Sequence, residues 1–71
     1  MIADIRQLLE ARPFKPFSIV TTAGKPYRVA TADHASMNPN QTCVVVYFDD
    51  DSLVSISAMH IASLEHEMPA A

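Results

Sequence analysis

The fold is decided by one continuous stretch, Thr42-Cys-Val-Val-Val-Tyr-Phe48, then Asp49-Asp-Asp-Ser52, then Leu53 to Glu65. Cys43 to Phe48 is an apolar run rich in β-branched and aromatic residues, which predicts a strand covered on both faces. We expect a barrel interior on one side of this strand and the N-terminal helix or a neighbouring copy on the other. The aspartates that follow predict a turn that is exposed to solvent because its side chains are charged.

The second half of this stretch predicts two more strands. Leu53 to Ala58 alternates between two faces, and Ile61 to Glu65 resumes extended structure after a break at Met59-His60. The apolar spacing also allows a helix here. Val54, Ser55, Ile56 and Ser57 are poor helix formers with no cap before them, so the strand interpretation is preferred.

Upstream, residues 3 to 12 predict a short helix. Asp4 and Gln7 have the spacing of a capping pair, and Pro13 ends the helix because it disfavours helical geometry in the residue before it. The apolar residues recur at helical spacing and predict a stripe that packs on the core, formed by Ile2, Ile5, Leu8 and Leu9. The helix is too short to be stable alone, so it must lie on other elements.

Two further strands are predicted between the helix and the Thr42 stretch. Phe17 to Thr22 alternates, and Tyr27 to Ala32 returns after a turn that contains the only glycine, Gly24. We expect Gly24 to take a positive φ in that hairpin. The next residues lose periodicity, and their first part is consistent with the second strand continuing through a bend. Asn38-Pro39-Asn40 is a strong turn signal.

The length of 71 residues predicts a single domain, residues 1–66, with a loose tail over 67–71. Such a chain buries only about 60% of its unfolded surface, so small domains recruit disulfides, metals or partner subunits. The one cysteine, Cys43, excludes an internal disulfide, which leaves subunit association. No apolar run approaches the roughly 20 residues that span a bilayer, and no signal peptide is evident. We therefore expect a cytoplasmic protein without a membrane partner.

Charge is distributed unevenly along the chain. All basic residues lie in the first 28 positions and only acidic ones follow, although the net charge is just −3. This argues against a protein that wraps nucleic acid over its whole surface, and no DNA partner is expected. The pattern leaves room for one basic face beside an acidic one, which a head-to-tail assembly could use.

The order of a helix and five short strands, with a hairpin glycine after the first strand and a one-turn break before the last, resembles the Sm-like fold. Hfq-type bacterial members are the closer comparison. The resemblance predicts a mainly β protein in which the N-terminal α-helix precedes a five-stranded antiparallel small barrel, Sm-like (SH3-like) in type. Arg12 to Ile19 also resembles an Arg-Pro-Phe-x-Pro-Phe-x-Ile motif in a group of small proteins with no established activity.

The Sm-like resemblance implies an oligomeric, non-catalytic binding protein with RNA as its ligand. Of the Tyr-Lys-His that Hfq-type members carry near the last turn, only His60 is matched, and Ala58 and Met59 occupy the other two positions. The expected RNA face comprises Asn38, Asn40 and His60, with Lys15, Lys25 and Arg28 available for phosphates. The alternative is a protein-interaction or scaffold module with no nucleic-acid role.

Two strand edges carry the prediction of self-assembly. An open strand edge exposes unpaired backbone groups, which proteins protect with charge, proline or a partner. Leu53 to Ala58 and Ile61 to Leu64 contain neither charge nor proline, so we expect the fourth strand of one copy to pair with the fifth of the next, as in a ring. The predicted interface residues are Leu53, Val54, Ile56, Ile61 and Leu64.

No catalytic centre, cofactor or metal is expected. Asp33-His34, His60 and His66 offer imidazoles near hydroxyls, but a serine nucleophile needs an elbow and an oxyanion hole, and the chain has one glycine. The Asp49 to Asp51 triplet lacks the glycine and distal Glu of a calcium loop. His60, Glu65, His66 and Glu67 could bind a transition metal, but His66 and Glu67 face opposite sides of an extended strand, which argues against it.

Overall fold

The computed structural model describes residues 1–67 of the chain. An N-terminal helix, α1, is followed by six strands and two short 3-10 helices, here η1 and η2. Their bounds are α1 Ile2–Glu10, β1 Phe17–Thr21, β2 Pro26–Val29, η1 Ala32–His34, β3 Ala35–Met37, β4 Cys43–Tyr47, β5 Leu53–Ser57, η2 Ala58–His60 and β6 Ile61–His66. The prediction of a mainly β chain with one N-terminal helix is confirmed.

The strands form two antiparallel sheets of three, which we call sheet A (order β2-β1-β6) and sheet B (order β3-β4-β5). The predicted five-stranded small barrel is not confirmed, since there are six strands and they form two separate sheets. Within residues 1–67, β5 pairs only with β4 and β6 pairs only with β1. Each sheet therefore has two edge strands, β2 and β6 in sheet A and β3 and β5 in sheet B.

The extra strand arises because the predicted strand Tyr27 to Ala32 stops early. β2 ends at Val29, and Thr31 then turns the chain: its carbonyl accepts from His34 N–H at 3.0 Å and its Oγ1 accepts from Asp33 N–H at 3.2 Å. A threonine hydroxyl competes with strand pairing in this way. The chain resumes as β3 in the other sheet, so the expected bend is present, but it separates two strands.

The hydrophobic core lies between the sheets and beneath α1. Phe17 and Ile19 of β1 are fully buried, which follows the alternation predicted for that strand. Val44 and Val46 of β4 are fully buried as well. The remaining buried apolar side chains are Ile5, Val29, Ala35, Ile56 and Ile61. On the other face of β4, Cys43 and Val45 are half-buried and Tyr47 is 37% exposed, so the predicted cover on both faces is only partial.

The helix begins earlier than the sequence predicts. Met1 is the residue before the first turn and makes no side-chain capping bond, so the predicted Asp4–Gln7 capping pair is wrong. Because the helix begins at Ile2, Asp4 lies inside its first turn. Its carboxylate lies 3.8 Å from the Met1 amino group instead. The predicted apolar stripe is confirmed, with Ile5 fully buried and the others packed against the core.

The turns between strands follow the sequence signals. Gly24 has φ +82° in the β1–β2 hairpin, as predicted for the only glycine. The aspartate turn closes with Phe48 N–H donating to the Ser52 carbonyl at 2.9 Å, and Asp51 takes φ 70°. Glu67, the one residue of the predicted tail within the described residues, follows the last strand, and the rest of that tail lies outside them.

Candidate nucleic-acid interface

Three separate segments meet at one end of the molecule and form what we call the three-loop surface: Thr22–Lys25, Asn38–Thr42 and Ala58–His60. Two backbone hydrogen bonds hold them together. Thr22 N–H donates to the His60 carbonyl at 2.9 Å, and Ala58 N–H donates to the Thr42 carbonyl at 2.8 Å. Because η2 takes part in both contacts, it lies between the hairpin turn and the long loop.

The three-loop surface contains no acidic residue, in contrast to the second half of the chain as a whole. Lys25, Asn40 and His60 are exposed there, and Met59 is 78% exposed. The Lys25 Nζ lies 5.3 Å from the centre of the Tyr27 ring, where the ring's negative face attracts the ammonium. The surface therefore offers one cation, amide groups and an apolar side chain to a ligand.

Asn38 differs from its neighbours because its side chain forms hydrogen bonds that shape the loop. Its Oδ1 accepts from Thr42 N–H at 2.8 Å and from Cys43 N–H at 3.0 Å, while its Nδ2 donates to Thr42 Oγ1 at 2.7 Å. The asparagine thus shapes the loop that presents Asn40. This function was not predicted, although an asparagine before a proline is a common turn former.

The predicted phosphate-binding residues do not come together. Lys25 belongs to the three-loop surface, but Lys15 precedes β1, at the opposite end of that strand from the hairpin turn. Arg28 faces Ser18 near the same distant end, and its guanidinium binds both carboxylate oxygens of Glu67. The Glu67 carboxylate raises the pKa of Arg28, and hydrogen bonding from Arg28 lowers the pKa of Glu67.

The predicted interface residues fall into two groups. Ile56 and Ile61 belong to the core, with 4% and 8% exposure, whereas Leu53 is 59% exposed at the start of β5. Val54 and Leu64 are half-buried and pack against the core from the open edges. Leu53 is therefore the one member of the set whose substitution spares the core.

A cleft of about 470 Å³ runs between α1 and β6. Leu8 and Leu64 give it an apolar floor, and polar groups line the rest: Asp4, Gln7, Ser63 and His66, together with Met1. The cleft lies beside the open edge of β6. The sequence did not predict it, because it depends on how the helix is placed over the sheet.

A second polar cluster joins η1 to the aspartate turn. The His34 Nε2–H donates to Asp49 Oδ1 at 2.8 Å, and Nδ1 lies 2.7 Å from the Thr31 hydroxyl. Asp50 Oδ1 accepts from the Ser52 N–H at 3.0 Å and from the Ser52 hydroxyl, which lowers the pKa of Asp50. The His34–Asp49 contact attaches the turn to η1, and the Asp50–Ser52 bonds stabilise the turn itself.

Within residues 1–67, no group of three or more His, Cys, Asp and Glu side chains is arranged to hold a metal ion. Over the same residues, no helix is long and apolar enough to cross a bilayer. Comparison with protein-family models, with curated proteins and with solved structures finds no match to this chain.

Proposed function

We propose that this chain is a non-catalytic binding protein of Sm-like type that assembles with copies of itself and binds RNA on the three-loop surface. The observation that carries the proposal is the strand order. If β2 and β3 are counted as one strand bent at η1, the order across both sheets is β6-β1-β2/β3-β4-β5. This is a five-stranded antiparallel series, and its two ends are open edges.

The open edges support self-assembly. β5 has no charged residue and no proline to prevent another strand from pairing with it, and it is connected to β6 only through η2. One copy can therefore offer a different edge to each of two neighbours. Repeating this contact closes a ring when the rotation between copies permits, and otherwise gives a filament.

The test of assembly is the native mass of the particle with a charge placed on one edge. Leu53→Asp puts a carboxylate beside the open edge of β5 without touching the core, and we expect the assembly to dissociate. Met59→Asp is the matched control, because Met59 is also exposed but belongs to neither edge strand. A monomeric parent protein, or unchanged mass in Leu53→Asp, would reject the proposed assembly.

RNA binding is supported by the acid-free three-loop surface. Phosphate contacts weaken as salt rises, with a slope of about −0.7 per contact for single strands, so retention of single-stranded RNA must fall with salt. Lys25→Gln removes the one lysine of this surface and should lower both retention and the salt slope. Arg28→Gln is the control, because that side chain is paired with Glu67 away from the surface. No retention at low salt would end the RNA proposal.

The second candidate is a protein-interaction module without a nucleic-acid role. It is favoured by the dispersal of the basic residues, since Lys25 is the only one of five on the three-loop surface. In that case the particle would still assemble, and RNA retention would be absent at every salt concentration. The two measurements together therefore separate the candidates.

A further inference from the structure

The hydrogen bonds around β1 decide which backbone groups of β6 face outward. Thr21 N–H donates to the Lys25 carbonyl at 3.0 Å, so Thr21 bonds to the β2 side of sheet A. Thr22 N–H donates to the His60 carbonyl at 2.9 Å, which is on the β6 side. Because the backbone groups of successive residues in a strand point in opposite directions, the even-numbered residues of β1 are the ones that bond to β6.

The open edge of β6 is therefore formed by the backbone of Leu64 and His66. Glu65 and Ser63 turn their backbone groups toward β1, where their even-numbered partners are Ser18 and Val20. The N–H and C=O groups of Leu64 and His66 point the other way, and within residues 1–67 no second strand pairs with β6. Unpaired groups of this kind can accept the backbone of an extended peptide as an added strand.

Leu64 and His66 also line the cleft of about 470 Å³ between α1 and β6. Leu64 lies opposite Ile19, which is fully buried, so the side chains of Leu64 and His66 are on the core side of sheet A. In an antiparallel pair, residues directly opposite each other have their side chains on the same face. A peptide residue that bonds to Leu64 or His66 therefore directs its side chain into the cleft.

Asp4 places a carboxylate beside the apolar floor of the cleft. It lies one helical turn from Leu8, which forms that floor together with Leu64. Among residues 1–67, no lysine or arginine lines the cleft. The Met1 amino group lies 3.8 Å from the Asp4 carboxylate, but both groups are exposed, so this contact contributes little. The floor and the carboxylate suit a basic residue, whose aliphatic stem packs on leucine while its charged end reaches the acid.

Glu65 places a second carboxylate on the opposite face of β6. Successive side chains of a strand alternate between its two faces, so Glu65 points away from the cleft. Arg28 lies on the same face of sheet A, but it binds Glu67, and Glu65 has no ion-pair partner in the part of the chain that the structure describes. A basic residue opposite Glu65 would therefore form a cross-strand pair of opposite charge.

We propose that the edge of β6 and the cleft together receive an extended segment of another protein that carries two consecutive basic residues. The segment adds as an antiparallel strand. Its second basic residue lies opposite Leu64 and directs its side chain into the cleft near Asp4, and its first lies opposite Glu65 on the other face. Because the segment occupies an edge that the proposed self-assembly uses, it competes with a neighbouring copy. Only this competition rests on the proposed self-assembly.

The test uses short labelled peptides and the Leu53→Asp variant, which is designed to leave the edge of β6 free. The probe is Thr-Thr-Lys-Lys-Thr with blocked ends, and fluorescence anisotropy measures its binding. Thr-Lys-Thr-Lys-Thr is the matched control, because it has the same charge but carries both lysines on one face. We expect the control to bind about threefold more weakly, as the loss of one cross-strand charge pair predicts. Equal affinities reject the proposed site.

Two variants in the Leu53→Asp background test the cleft. Asp4→Asn removes the carboxylate beside the cleft floor and should weaken binding of the Lys-Lys probe. Asp33→Asn makes the same chemical change at an exposed position of η1, away from the cleft, and should leave binding unchanged. Equal affinities of the two variants for the probe reject a role of the cleft in binding.

Methylated probes test the strand addition without altering the protein. A methyl group on the amide nitrogen of the second lysine removes the N–H that would donate to the Leu64 carbonyl, so binding should be lost. The same group on the first lysine replaces an N–H that points away from β6, and binding should persist. Equal effects of the two methyl groups reject the added strand.

The outcomes separate the peptide site from the assembly. Binding of the probe by Leu53→Asp, with a monomeric parent protein, supports the peptide site and rejects the assembly. No binding by Leu53→Asp, with a parent that assembles, rejects the peptide site and leaves the assembly standing. Where the parent assembles and the probe binds, excess probe should lower the mass of the particle, and an unchanged mass at saturating probe rejects the competition.

Discussion

The aspartate turn and the three-loop surface make opposite uses of polar side chains. In the turn, Asp49 binds His34 and Asp50 binds Ser52, so the most conspicuous charges in the sequence serve the fold. On the three-loop surface the side chains used in this way are Asn38 and its partner Thr42, whereas Lys25, Asn40 and His60 are exposed. Polar groups that the fold does not use are the ones free to bind a ligand, so the acid-free end is the better candidate site.

The largest effect is expected at Asn38, whose side chain makes three hydrogen bonds within the three-loop surface and its flank. Asn38→Ala removes three hydrogen bonds, and losing polar partners of this kind lowers the free energy of unfolding by about 1–3 kcal/mol. Asn40→Ala should change stability by less than about 0.5 kcal/mol, as exposed substitutions usually do. Urea unfolding of both variants measures the difference. Equal stabilities would show that Asn38 does not hold the loop.

A smaller effect is expected in the hairpin turn of the same surface. Gly24→Ala forces a side chain into a left-handed conformation, which costs about 1–2 kcal/mol. No atom lies within 4 Å of the added Cβ, so the cost comes from the backbone alone. Gly24→Asn should cost less, because asparagine tolerates this region better. Thermal unfolding measures the order, and an alanine variant as stable as the parent would contradict it.

The contact between His34 of η1 and Asp49 of the aspartate turn should contribute less to the free energy of unfolding than Gly24 does. His34→Ala breaks the contacts at 2.7 and 2.8 Å, but the Asp49 side chain is 95% exposed, so water weakens the pair. Exposed pairs contribute about 0–1 kcal/mol, and we expect a loss within that range. Asp49→Asn, which keeps an acceptor for the Nε2–H, is the control and should cost less. A loss larger than that from Asn38→Ala would reverse the comparison.

The smallest effect concerns the pH dependence of the turn. Hydrogen bonds from Ser52 hold the pKa of Asp50 below its ordinary value, so this carboxylate stabilises the fold above its unfolded pKa. That contribution is lost as the pH falls through the folded pKa. In Ser52→Ala the pKa of Asp50 should rise toward its ordinary value, as followed by NMR titration of the carboxyl carbon. Ser55→Ala is the control, and equal titration curves would exclude the bond.

Much of the fold could be predicted from local patterns. The alternation from Phe17 and the apolar run from Cys43 identified β1 and β4, and the single glycine identified the first hairpin. The sequence did not predict that η1 divides two strands, because this break depends on a hydrogen bond from the Asp33 N–H to the Thr31 hydroxyl. The capping pair was wrong because the N-cap position is Met1, three residues ahead of Asp4.

The site could be predicted only in part. Asn40, His60 and Lys25 were expected to lie near a ligand, and the structure brings their segments together. Lys15 and Arg28 were grouped with them on charge alone, but their positions along β1 and β2 separate them from that end. Met59 was missed as a surface residue. Only the hydrogen bonds between distant segments, Thr22 to His60 and Ala58 to Thr42, reveal which loops are neighbours.

The shortness of η2 has a geometric consequence. Its three residues join the edge that would meet one neighbour to the edge that would meet the other, and its backbone is tied to two loops. In a closed particle built on these edges, the angle between them sets how many protomers complete the circle. One inserted residue at Met59 would alter that angle, so in such a particle a single helical turn would set the number of copies.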